Sequence, residues 1–308
     1  MFRKIVVLYT ALALMAIPAQ RGFAAMILPE ESAPGGADTL LAQSEENEFL
    51  PQWYDMFTNL PGDWARYSGQ TFRTENIPAF LGIAALTGGL IWSDAKTWDL
   101  SRRWRDSSTT VRNVSEFFEY LGDGRPQFGL AGAFALYGFA LNDHRALRTS
   151  SQLVEAILAC GAVVQVIKHV TGRQSPYVST VQRGAWDFFP NQIEYHKHVP
   201  SYDAFPSGHL ATAMATLTVV FENYPEINWL KPVGYTLIGL IGVSMVNTGI
   251  HWYSDYPLGL VLGYSFGVIA SHPINSAASR SSTSDMRNIS LSPSITNRGP
   301  GISINILF

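Results

Sequence analysis

The sequence predicts an all-α fold, a six-helix bundle followed by a short C-terminal β-hairpin. Three observations carry this. Hydrophobic residues make up 47% of the 308 and charged residues only 15%, against about 25% charged in an average soluble domain. Six apolar segments rich in Ala, Leu, Gly and Val follow one another with little two-residue alternation, which is helical patterning. Alternation appears only near the end, where the composition has turned to Ser, Asn, Arg and Thr. With a net charge of −3, the same figures exclude a disordered chain, a long charged coiled coil and a basic nucleic-acid binder. The single cysteine, Cys160, sits in LVEAILACGAVVQV. It reads as a small core residue and leaves no intramolecular disulfide framework.

The chain opens MFRKIVVLYTALALMAIPAQRGFAA. Arg3 and Lys4, an apolar run over residues 5–17 and Gly22-Phe23-Ala24 give residues 1–24 the three-part layout of a secretory signal. Export to a periplasm or cell envelope is the expectation, with an uncleaved anchor as the competing reading. Residues 25–77, containing ESAPGGADTLLAQSEENEF, read as an N-terminal arm and linker.

A helical domain is expected over residues 78–273, with apolar segments at about 78–92, 128–141, 147–168, 208–221, 232–246 and 255–270. Roughly 200 residues is ordinary for a single core. Several segments are short of the ~20 residues a membrane span needs, and Glu155 and Gln165 lie inside the third. Those lengths favour a periplasmic bundle, with membrane association through its tail or an exposed apolar face as an option, over one that crosses the membrane six times. Between the first two segments, SDAKTWDLSRRWRDSSTTVRNVSEFFEYLGDGRPQ reads as an arginine-bearing loop, which faces the cytoplasm if the helices span. Residues 274–308 form a polar tail. There NISLSPSIT, NRGPG and the alternating GISINILF read as a hairpin, although a single hairpin cannot close a barrel.

Reactive side chains concentrate in three stretches, each at a predicted helix end. Lys168 to Pro176, KHVTGRQSP, closes the third helix. Pro206-Ser207-Gly208-His209 opens the fourth. His251-Trp252-Tyr253-Ser254-Asp255 lies between the fifth and sixth. Ser207 and Gly208 at a helix start leave free N–H groups that suit an anion, and His209 beside them can give or take a proton. His251 and Asp255, four apart, share a face if helical, so that the carboxylate can orient the imidazole. Taken singly, these residues fit a plain N-cap, a surface hydrogen bond and a snorkelling lysine.

Together, the order and spacing resemble the superfamily of type 2 phosphatidic acid phosphatases, class A bacterial acid phosphatases and vanadium haloperoxidases. That family shows Lys, six residues, Arg-Pro; then Pro-Ser-Gly-His; then Ser-Arg, five residues, His, three residues, Asp. Here Lys168 and Pro176, the intact Pro206-Ser207-Gly208-His209, and Ser244, His251 and Asp255 fall in register. The resemblance implies a cofactor-free, metal-free phosphatase acting on a phosphomonoester or diphosphate, with a lipid phosphate or isoprenyl diphosphate favoured. His251 would attack phosphorus with Asp255 orienting it, and His209 would serve as acid and then base. Lys168 and the amides of Ser207 and Gly208 would hold the phosphate oxygens. No nucleic-acid partner is expected.

Two family arginines are absent: Ser175 and Met245 stand in their places. A guanidinium fork matches phosphate oxygens as neutral residues do not. The expected replacements are Arg173, or cations among Arg183, His196, Lys197 and His198. His196 and His198 lack a third ligand for a metal. The altered clasp leaves open a weakened relative that binds a phosphate-bearing lipid or is structural. A vanadium-dependent peroxidase is the least favoured reading. In membrane members the three motifs face outward from six spans, which conflicts with six spans following a cleaved signal.

Overall fold

A computed structural model of the protein describes residues 54–273, and the backbone of residues 289–296 and 299–306. The expected signal and most of the expected arm lie outside these residues. The helices belong to one compact unit and the hairpin falls in a second.

Two short helices lead in, α1 (Asp55–Thr58) and α2 (Leu60–Thr71). Each expected apolar segment is then a helix: α3 (Ile77–Asp106), α5 (Gly124–Leu141), α6 (His144–Thr171), α8 (Gly208–Asn223), α9 (Leu230–Thr248) and α10 (Tyr256–Ser271). Two more, α4 (Thr109–Gly122) and α7 (Gln192–Lys197), lie between them. Side-chain caps start several: Ser108, Asp123, Asp143 and Ser207 accept hydrogen bonds from amides of their own first turns. Gly172, at φ 53°, ends α6; a Cβ there would lie 2.1 Å from the Asp187 carbonyl oxygen.

The core runs along α6, α8 and α10, where Leu153, Ala156, Cys160 and Val164 meet Ala211, Ala215 and Val219, and then Leu262 and Phe266. Small residues set the spacing. A Cβ on Gly259 would come within 2.7 Å of the Ser207 oxygen, and one on Gly263 within 2.1 Å of the Ala211 oxygen. Helix α10 therefore lies directly on the backbone of α8, and their facing ends are brought together. A second cluster joins Leu210 and Met214 to Ile241, Met245 and Tyr256.

The structure corrects the reading of the arginine-bearing stretch. Helix α3 continues through it to Asp106 and α4 resumes at Thr109, so it is helical where a loop was expected. Its polar half is held in by buried Asp94 and Ser101. The helices also outrun their apolar segments. Thr74–Asp106, His144–Thr171 and Leu230–Thr248 are long and apolar enough to cross a membrane, by length and composition. Leu81, Trp92, Leu136 and Phe139 stand exposed on α3 and α5.

The hairpin pairs β1 (Ile289–Thr296) antiparallel with β2 (Gly299–Ile306), in a register that sets Ile289 opposite Ile306 and Ser292 opposite Ser303.

Candidate active site

One end of the bundle gathers the reactive side chains. Lys168, buried in the last turn of α6, meets the start of α8: a Cβ on Gly208 would lie 3.6 Å from Lys168 Nζ. An ammonium and a helix N-terminus thus share one spot, and both favour an anion. Ser207 caps α8 by accepting from the Leu210 amide, and its own N–H donates to the Asp255 carbonyl at 2.9 Å. That bond ties the start of α8 to the turn before α10.

His251 follows the end of α9 and is 1% exposed. Its Nδ1 is 2.8 Å from the Ala204 carbonyl oxygen. A carbonyl can only accept, so Nδ1 carries the proton and, in the neutral ring, Nε2 keeps its lone pair. Nε2 lies 3.1 Å from His209 Nδ1, which must then donate. The chain of donors runs from His209 through His251 to Ala204.

Asp255 does not orient His251 as expected. Its Oδ2 is 3.6 Å from His251 Nδ1, beyond hydrogen-bond reach, and accepts instead from the Trp252 amide at 2.7 Å. The backbone carbonyl of Ala204 has taken the orienting position.

Arg173 also departs from expectation. It is fully buried, and the donors on its two Nη atoms go to protein groups, while Nε has no hydrogen-bond partner among the described residues. Nη1 binds Ser254 Oγ at 2.6 Å and Asp255 Oδ1, while Nη2 binds Asp94 Oδ2 and the Arg183 carbonyl, both at 2.8 Å. The rings of Trp186 and Trp252 lie 4.8 and 5.3 Å from its guanidinium carbon. Ser254 Oγ donates to Asp94. Arg173 is therefore the counter-ion of two carboxylates and a brace under the His251 turn, with its charge already matched.

Three of the other proposed cations do not fill the gap either. Lys197 and His198 face Glu194, at 3.0 and 3.8 Å, on the surface, and His196 packs against the rings of His169 and Tyr195. Ser175 is buried and donates its N–H to Pro200. Met245 belongs to the core beside Ile241. A Cβ on Gly122 would meet the Met245 methyl at 2.8 Å and His209 Cβ at 3.6 Å, so both side chains border Gly122. Among the described residues, no group of three or more His, Cys, Asp or Glu is arranged to hold a metal ion.

Electrostatics follow from enclosure. Burial, with the neighbouring His251 and Lys168 adding to it, pushes His209 down to about 3. Burial and then Lys168 push His251 to about 3 as well. Both rings are neutral at pH 7. Burial raises Asp255 to about 6 against the pull of Arg173.

Sequence reasoning missed three participants. Asp94 was hidden in the supposed loop. Ala204 acts through its backbone, which residue type does not reveal. Asp203, whose Oδ2 is 3.4 Å from Lys168 Nζ, stands four residues before Ser207; an acid that close to the anion-binding turn was the available signal.

With this geometry in view, residues 150–277 match the family model described as the PAP2 superfamily. This stretch is thus similar to PAP2 superfamily domains. Over 66 residues the chain is 35% identical to a lipid A 1-phosphatase from Porphyromonas gingivalis. The match covers 21% of this chain and 15% of that protein, so the chain spans a small part of the curated relative's length. Among solved structures, LpxE from Aquifex aeolicus is 21% identical, with a TM-score of 0.43 over 57% of this chain and 93% of that one. A PAP2-type phosphatidylglycerolphosphate phosphatase from Bacillus subtilis is 16% identical, with a TM-score of 0.42 over 68% of this chain and 96% of that one.

Proposed function

We propose that the chain is a membrane-associated phosphatase that hydrolyses a phosphomonoester or diphosphate of a lipid through a phosphohistidine on His251. One observation carries the reading: the His251 Nε2 lone pair, fixed by the Ala204 carbonyl, faces His209 Nδ1 at 3.1 Å, beside the Lys168 ammonium and the capped start of α8.

The substrate phosphoryl group enters between the two rings. Its negative charge offsets the field of Lys168 and favours a protonated His209. His251 Nε2 forms the N–P bond as the P–O bond of the leaving group breaks, and His209 Nδ1–H protonates that oxygen. Water then attacks phosphorus and gives its proton to His209, the N–P bond breaks, and orthophosphate leaves. Lys168 and the amides at the start of α8 stabilise charge on the equatorial oxygens. Asp255 and Arg173 hold the turn that presents His251.

The matched lipid A 1-phosphatase and the three helices of membrane-crossing length favour a lipid substrate. Phe188 and Phe189, exposed in the loop after α6, and Ile193, exposed on α7, offer its chains an apolar approach. Export rests on residues 1–24. Asp94 contacts the site from α3, which continues toward Arg102, Arg103 and Arg105, so the arginines and the site share one end of the bundle. Both then lie on the same side of any membrane the helices cross.

A weaker reading, a relative that binds lipid phosphate without turnover, draws on Met245, whose side chain packs in the core where the family places a guanidinium. Phosphate release from a panel of lipid monophosphates and diphosphates separates the two. The phosphatase reading expects release that His251→Ala abolishes; equal rates in the two proteins overturn it.

A further inference from the structure

Resting on the phosphatase reading, the geometry points to Asp203 as a displaceable counter-ion that competes with phosphate for Lys168. It thereby keeps affinity for free orthophosphate low and favours esters that carry an apolar anchor.

The Lys168 side chain is 5% exposed and its Nζ pairs with Asp203 Oδ2 at 3.4 Å, whereas the Asp203 side chain is 28% exposed. The cation is thus fixed in the wall of the site, and its partner stands toward solvent. The Asp203 backbone cannot retreat: it bridges Arg173, and the next amide, of Ala204, donates to the Arg173 carbonyl at 2.9 Å. Only the carboxylate can swing aside.

An incoming phosphate must take Lys168 from Asp203 and then lie beside a like charge. With Ser175 and Met245 uncharged where the family carries guanidinium groups, this competition weighs more heavily on the site. Orthophosphate has nothing else with which to offset it. A lipid phosphate adds contacts between its chains and residues such as Phe188 and Phe189, so it binds despite the competition. After hydrolysis the anchor is gone, Asp203 recovers Lys168, and the product is expelled.

Calorimetric titration of inorganic phosphate into wild-type protein and Asp203→Asn tests this, with inhibition of lipid-phosphate hydrolysis by inorganic phosphate as a second readout. Removing one like charge about 5 Å away in a partly solvated site is expected to tighten phosphate about tenfold or more. Asp203→Glu keeps the charge and should stay near wild type, and KM for the lipid substrate should fall less than the phosphate inhibition constant. Phosphate binding by Asp203→Asn within twofold of wild type, or weaker, overturns the proposal. If melting shows that Asp203→Asn does not fold, Asp203→Ser carries the same expectation. If no protein binds phosphate and none releases it from any lipid, the phosphatase reading falls as well; binding that is present but equal in all variants sinks this inference alone.

Discussion

The Nδ1 of His251 lies 2.8 Å from the Ala204 carbonyl and 3.6 Å from Asp255, so the backbone before α8 sets the tautomer of the candidate nucleophile. Asp255 is spent on the Trp252 amide and on Arg173. The carboxylate is therefore chiefly a structural counter-charge. Asp255→Asn leaves Arg173 buried against one carboxylate fewer, and breaking a buried pair in this way costs about 3–5 kcal/mol. Urea unfolding should show a loss of that size, much larger than for His251→Asn.

Arg173 gives a related expectation. All four hydrogen bonds formed by its two Nη atoms end on protein groups, so Arg173→Lys, which cannot reproduce the fork, should lower the melting temperature. In the protein that remains folded, inhibition by inorganic phosphate should stay unchanged. A specific loss of phosphate affinity without loss of stability would return Arg173 to the pocket.

Stability should also depend on pH through His251. The folded protein holds this ring at about 3, whereas the unfolded chain accepts its proton near 6.5. Its contribution is complete above about pH 6.5 and is lost as pH falls toward 3, by up to ~1.4 kcal/mol per unit. Asp255, raised to about 6, works in the opposite direction between about pH 6 and 4, but it is present in both proteins when wild type is compared with His251→Asn. The wild type should therefore lose stability more steeply on acidification than the variant does, as read from unfolding curves at a series of pH values.

Helix spacing provides a test away from the charges. A methyl on Gly263 would lie 2.1 Å from the Ala211 carbonyl oxygen, and backbone cannot yield as a side chain can. Gly263→Ala should destabilise by about 1–3 kcal/mol or more. Gly239→Ala, with open space around it, should be neutral or slightly stabilising in its helix. Thermal melts of the two variants check the contrast.

Six helices were legible because each carries a largely apolar segment, and several of them start at a side-chain cap or end at a glycine. The far half of α3 was not. Residues 93–106 are polar on most faces, and the buried pairing of Asp94 with Arg173 and Ser254, with Ser101 buried and Trp98 packed on the second cluster, keeps that part of the helix against the body. The site was legible as three motifs, since Lys168, Ser207, Gly208, His209, His251 and Asp255 do converge. What sequence could not give was the partner of each group. The Ala204 carbonyl has no side-chain signature, and an arginine looks the same on paper whether it faces phosphate or two buried carboxylates.

The shared end of the arginines and the site yields a sidedness prediction. The sole native cysteine, Cys160, is buried, so cysteines placed at exposed Arg103 and Phe189 report alone. In sealed vesicles an impermeant thiol reagent should label both from the same face.

The most direct measurement is rapid quenching during turnover of a 32P-labelled lipid phosphate, followed by mapping of acid-labile label on the protein. A phosphoryl group on His251, absent from His251→Ala, is the result predicted here. Phosphate release at an undiminished rate from His251→Ala, or label on another residue, would contradict it.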